Sequence, residues 1–166
     1  MSQPTSPPAS RPASLIDARL AELGLILPEP SVPVASYTPW VRTGSLVVVS
    51  GQIPMLDGVI AVQGLVGVDV SVEEGQRAAQ ICFLNVLAHV RAACGGSLDR
   101  VCRVVRLGGF IAAPASFTQH AVVMNGASDL AQAIFGSAGQ HARSTIGVPS
   151  LPRNAAVEVE GWFEVA

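Results

Sequence analysis

The sequence predicts an α+β layer fold, a mixed β-sheet with two main helices packed on one face and a short N-terminal helix ahead of them. Three observations carry this. Apolar runs of strand character and two long helical patterns follow one another in the order β-β-(β)-α-β-α-β-β. Strands that feed helices and return beside earlier strands imply right-handed crossovers, which put the helices on one side of the sheet. The 166 residues fit one domain, and a hydrophobic content of 49% supplies a sizeable core.

Residues 1–13 are rich in Pro and Ser and nearly devoid of large apolar groups, the composition of a disordered tail. The single domain is then expected over residues 14–166. Ser14 can cap a short helix over Leu15–Leu23, with Leu15, Ile16, Leu20 and Leu23 on one face and Gly24 ending it. After a proline-punctuated connector, Val34–Val41 and Leu46–Ser50 flank a Thr43-Gly44-Ser45 turn and read as a hairpin. Gly51-Gln52-Ile53-Pro54 breaks off the second strand, and a short strand is expected at Val59–Val62 beyond an Asp57-Gly58 turn.

The strongest element is a helix over Val72–Cys94. Ser71 and Glu74 have capping-box spacing, and Val72, Ala79, Phe83, Val86, Leu87, Val90 and Ala93 approximate one apolar stripe. Gly95-Gly96 ends it, and Val101–Ala112 reads as a long strand. A second helical region spans Phe117–Phe135, followed by strands at Ser144–Val148 and Ala155–Val165. These strands carry apolar residues on both sides, and only 13% of the chain is charged, so the sheet face away from the helices is expected to be covered by identical subunits.

Composition excludes several classes. All ten basic side chains are arginine. With no lysine there is no Schiff-base chemistry, pyridoxal-phosphate attachment or phosphate-loop lysine. The formal net charge of -2 and the absence of a basic run argue against nucleic acid as a partner. No apolar run reaches the roughly 18 residues of a membrane helix. Cys82, Cys94 and Cys102 form no metal-type pair and are expected to be small buried hydrophobes; their odd number, without a secretion signal, points to a reducing cytoplasmic setting. His89, His120 and His141 share no ligand spacing, so no metal site is expected.

Three blocks stand out: YTPWVRTGSLVVVSGQIP from Tyr37, VRLGGFIAAPASFTQHAVVMN from Val105, and ARSTIGVPSLPRNAAVEVE from Ala142. The first and third, in this order and separation, resemble the Rid/YjgF family of reactive-intermediate (enamine/imine) deaminases, whose older label is endoribonuclease L-PSP. The resemblance covers almost everything after the tail and is to a longer-chain branch. It implies a chorismate-mutase-like fold, a homotrimer with ligand clefts between subunits, and no metal or organic cofactor.

The resemblance also implies roles. Arg143 would anchor the carboxylate of a 2-imino or 2-enamino acid, for which a planar guanidinium fork is suited. Glu158 would position or activate the hydrolytic water, which at neutral pH requires desolvation to raise its pKa from about 4.3. Glu160 shares the Glu158 face and reads as solvated. Tyr37, at the start of the first strand, would line the cleft or serve as a core or edge residue. Ser50 and Gly51 would border the ligand or simply end a strand. Asn125 matches an asparagine of the second helical region and could equally cap a helix start. Phe110 is an apolar wall or a core residue. Thr145 stands where the family archetypes usually carry cysteine, so its backbone carbonyl could hold water but thiol chemistry is lost. Gly147 replaces a common acidic residue, and Gly108-Gly109 is an unfamiliar pair.

The expected activity is hydrolytic deamination of 2-imino or 2-enamino acids to 2-keto acids and ammonia. A non-catalytic trimer that binds a carboxylate metabolite is the alternative, and RNA cleavage ranks third because lysine and a basic surface are missing.

Overall fold

The capping box at Ser71 and Glu74 forms as the sequence predicts in the computed structural model, which describes residues 14–31 and 36–166. The expected disordered tail and residues 32–35 lie outside the described residues. In chain order the elements are α1 (Leu15–Glu22), β1 (Trp40–Thr43), β2 (Leu46–Gln52), β3 (Met55–Leu56), β4 (Val59–Ile60), α2 (Val72–Ala93), β5 (Val101–Ala112), α3 (His120–Phe135), β6 (Ala142–Val148) and β7 (Val157–Val165). This is the expected α+β arrangement.

Ser71 Oγ accepts from the Glu74 N–H at 3.1 Å, and Glu74 Oε2 accepts from the Ser71 N–H at 2.9 Å. Such a cap is worth about 1 kcal/mol. The Ser71 backbone N–H is also the main reason the Glu74 carboxyl sits below its ordinary range. Ala79, Phe83, Val86, Leu87 and Val90 of α2 are fully buried, as the stripe predicts. The helix α3 packs beside α2 so closely that a Cβ on Gly126 would overlap the Gln76 carbonyl. It begins at His120 and not at Phe117, because Phe117 N donates to Pro114 O at 2.9 Å in a turn that precedes the helix.

The main sheet has the order β1-β2-β7-β5-β6. Every neighbouring pair is antiparallel except β5 and β6, which α3 connects in parallel. The first strand starts later than expected, at Trp40. Pro39 has no N–H for a ladder, and its carbonyl instead accepts from Ser50 N at 2.9 Å. The strand expected at Val59–Val62 shrinks to β4, paired with β3 in a separate hairpin around Asp57 and Gly58, both at positive φ.

Val47, Val49, Val104, Leu107, Ile111, Val157, Val159 and Phe163 point from the sheet into the core under the helices. The other face is open within one chain and carries Leu46, Val48, Phe110, Ile146 and Trp162 together with Arg106, Glu158 and Glu160. At one end of the core, α1 is held mainly by polar groups: Asp99 accepts from Ser14 Oγ, Leu15 N and Ile16 N at 2.9–3.2 Å. Only Leu20 of its expected stripe is buried and Ile16 packs alongside, whereas Leu15 and Leu23 are exposed.

Cys82 and Cys94 are buried, but Cys102 is exposed, a correction to its expected burial. The register of β5 against β7 shifts between Val101 and Arg103, and this irregularity leaves Cys102 on the outside. Among the described residues no helix is long and apolar enough to cross a membrane.

Candidate functional site

Arg143 lies on the edge strand β6, paired with Leu107, so its side chain projects to the helix face of the sheet. There α3 meets it with three acceptors. Nη1 donates to Asn125 Oδ1 at 2.9 Å and to Ser128 Oγ at 3.0 Å, and Nη2 donates to the Ala121 carbonyl at 3.3 Å. Asn125 is therefore not a helix-start cap; it sits inside α3 and holds the arginine. A guanidinium has five N–H donors. Three are occupied by these partners, which leaves one on Nε and one on Nη2 among the described residues, the number a bidentate carboxylate takes. Asn125, Ser128, Asp129, Gln132, Gln140, His141 and Arg143 line a pocket of about 270 Å³ here.

Thr145 is two residues along the same face of β6, and its hydroxyl is buried with no hydrogen-bond partner among the described residues. A further two residues on, Gly147 faces His120, and a Cβ there would overlap His120 Nε2. The glycine thus gives its space to the imidazole, which also meets Phe117 edge to face with ring centroids 5.1 Å apart.

Glu158 lies on the opposite face. It pairs in register with Phe110, and its carboxylate lies over Gly51, where a Cβ would overlap Glu158 Oε1. A bulge brings Gly51 there. Between the pairs Val49↔Gly161 and Gln52↔Val159, β2 advances three residues while β7 advances two. Without the extra residue Gly51 would share the inward face of Val49. Ser50, inside the bulge, donates from Oγ to the Thr38 carbonyl at 2.9 Å and so ties down the segment that follows Tyr37. Tyr37 itself is exposed and precedes β1 instead of starting it.

Burial pushes the Glu158 carboxyl above its ordinary pKa, and the neighbouring Glu160 charge pushes it further the same way. Glu160 is not merely solvated: it pairs with Arg106 at 3.4 Å, and Arg106 lies 5.4 Å from the Trp162 ring centroid. The Gly108-Gly109 pair now has a physical reason. A side chain on Gly108 would meet Glu160 Oε1 at 2.5 Å on the open face, and one on Gly109 would meet Met124 Sδ at 2.6 Å on the helix face.

The predicted residues thus fall into two half-sites. Arg143, Asn125 and Thr145 gather on the helix face beside α3, while Glu158, Phe110, Ser50 and Gly51 gather on the open face. Sequence reasoning missed Ser128 and His141, which join the Arg143 cluster. The only signal for Ser128 was its i+3 spacing from Asn125 on α3, which puts both on one helix face. Among the described residues no three His, Cys, Asp or Glu side chains gather as a metal-holding group.

The comparisons agree with this fold. The family model described as "YjgF/chorismate mutase-like, putative endoribonuclease" matches residues 17–165. The chain belongs to this family, the YjgF/Rid family. "Protein TCP17" of Trypanosoma cruzi is 43% identical over 151 residues, covering 90% of this chain and 94% of that protein. Among solved structures, the Agrobacterium tumefaciens protein Atu1372, of unknown function, superposes with a TM-score of 0.86 at 46% identity, covering 91% of this chain and 92% of that one. A Shewanella oneidensis protein bearing the same endoribonuclease description superposes with a TM-score of 0.87 at 37% identity, covering 90% of this chain and 99% of that one.

Proposed function

We propose that the protein hydrolyses 2-imino and 2-enamino acids to 2-keto acids and ammonia, in clefts between the subunits of a homotrimer. The observation that carries this is the state of Arg143: three of its donors are fixed by α3 and two remain, one on Nε and one on Nη2, matching a substrate carboxylate. Glu158 supports the second half of the chemistry, since desolvation moves its pKa toward the range of a working general base.

In one chain these groups cannot meet on one small molecule. They lie on opposite faces of the sheet, and β5 separates their strands, so the lateral offset alone is about 10 Å. A cleft formed by the Arg143 half-site of one copy and the Glu158 half-site of another satisfies both, and it covers the apolar residues of the open face. In that cleft Arg143 holds the carboxylate. Water adds to the imine carbon as Glu158 takes one of its protons and passes it to the imine nitrogen. The carbinolamine hydroxyl then gives its proton to Glu158, which hands it to the amine as the C–N bond breaks, so that the 2-keto acid and ammonia leave. The imine is already electrophilic, so positioning and electrostatics suffice.

The test couples an amino-acid oxidase to semicarbazide and follows loss of semicarbazone with wild-type protein and Arg143→Ala. Acceleration that depends on the arginine is expected. No acceleration across small, branched and aromatic imines would overturn the proposal.

A further inference from the structure

The fold returns one of the scattered histidines to the arginine. His141 Nδ1 lies 2.6 Å from the Gly139 carbonyl, which can only accept, so Nδ1 carries the proton. In the neutral ring Nε2 is then an acceptor, and it lies 3.0 Å from Ser128 Oγ. The Ser128 hydroxyl has one proton and gives it to the ring. Its lone pairs are left for Arg143 Nη1, also at 3.0 Å. The donors therefore run one way, from guanidinium to hydroxyl to imidazole, with the ring pinned at its far nitrogen.

We propose that His141 is a positioning residue: as the Nδ1–H tautomer, and acting through Ser128, it turns the Arg143 guanidinium so that its Nε and remaining Nη2 donors face the substrate carboxylate. This rests on the deaminase reading of Arg143 as the carboxylate anchor. Ser128 is only 7% exposed, so solvent does not readily replace the ring as partner of its hydroxyl. The charged groups around the ring are Arg143 from β6 and Asp129 from α3, which line the same pocket. Burial first, and the Arg143 charge in addition, hold the imidazole below its ordinary pKa against the opposing pull of the Gly139 carbonyl. Protonation at Nε2 would turn the acceptor into a donor. Ser128 Oγ would then face two donors, and a second cation would stand beside the guanidinium.

The experiment uses nitrogen-15 NMR of the His141 ring and the Arg143 side chain in the full-length protein, with KM for a 2-imino acid measured in parallel. The wild type is expected to show a protonated Nδ1, a bare Nε2 and separate Nη1 and Nη2 signals. His141→Phe should merge the Nη signals and raise KM about tenfold, the worth of one hydrogen bond, with a smaller change in kcat. His141→Gln, whose Oε1 can accept from Ser128, should restore both and abolish the rise of KM that His141 protonation causes toward acid pH. An Nε2–H tautomer, unchanged Arg143 signals and KM in His141→Phe, or a His141→Gln variant as impaired as His141→Phe would each overturn the proposal. Intact relay signals in a wild type that neither hydrolyses imines nor binds a 2-keto acid would keep the relay and sink the deaminase reading.

Discussion

Replacing Arg143 by lysine keeps the charge and removes the fork. Lysine brings three donors on one nitrogen, whereas the proposed arginine site asks for five: three for Asn125, Ser128 and Ala121, and two for the proposed substrate carboxylate. An ammonium that reaches the substrate must release most of the α3 acceptors, and one that stays with them cannot grip a carboxylate at two points. The loss is at least one charge-assisted hydrogen bond, about 1.5–3 kcal/mol, or about a ten- to hundredfold weaker grip. The stability cost is smaller, because Asn125 is only half buried and water can replace its donor. About 1 kcal/mol corresponds to a melting temperature lower by about 2–4 °C for a domain of this size. Calorimetric titration with a 2-keto acid, beside the semicarbazide assay, reads the first quantity and thermal unfolding the second. A lysine variant that binds within twofold of wild type would refute the donor count and leave Arg143 as a point charge.

The other predictions concern Glu158 and the α1 cap. Glu158→Gln should abolish turnover while leaving 2-keto acid affinity within about twofold, since the proposed carboxylate anchor is Arg143; retained turnover would remove Glu158 from the chemistry. The Glu158 pKa is raised on folding, so ionising it weakens the folded state as pH rises through that value. Glu158→Gln should therefore raise the melting temperature near pH 8 and leave it unchanged at pH 3, where both forms are neutral. For the same reason the acid limb of kcat/KM should lie above the ordinary carboxylate pKa and shift to lower pH in Glu160→Gln, which removes the like charge; an unmoved limb would show that Glu158 is not the group titrating. Asp99→Ala should cost about 1 kcal/mol by uncapping α1, with the loss vanishing at acid pH because these hydrogen bonds hold the Asp99 pKa down. Equal destabilisation at pH 2 and pH 7 would contradict that account.

The fold was legible where local chemistry agreed with the tertiary solution. The capping box fixes the start of α2, Gly95-Gly96 ends its last turn, and β5 spans the expected Val101–Ala112. It was misjudged where a local signal gave no account of what would be packed against it. The stripe on α1 meets the core only around Ile16 and Leu20, since the helix hangs from Asp99, 84 residues distant. Thr38 and Tyr37 have strand-forming side chains, yet Pro39 withholds a ladder donor and the strand starts behind it. Cys102 follows strand alternation on paper, and a register shift turns it outward.

The candidate site shows the same division more sharply. Individual residues could be named because the motifs around them are dense, but their mutual placement depends on facts that periodicity does not encode. Alternation along β7 puts Glu158 and Glu160 on one face, and alternation along β6 puts Arg143 with Thr145. Which of these faces looks toward α3 is settled only by strand order and register. The bulge at Ser50-Gly51 then reverses what alternation predicts for Gly51 and delivers it to Glu158. Arg143 and Glu158 end on opposite sides of a single sheet. On the proposed reading, a lone chain therefore carries an anion grip without a base beside it, and a base without a substrate anchor. This division makes association part of the proposed chemistry. A variant that stays folded but monomeric should retain weak carboxylate binding at Arg143 and lose turnover completely; a turnover-competent monomer would refute the shared cleft.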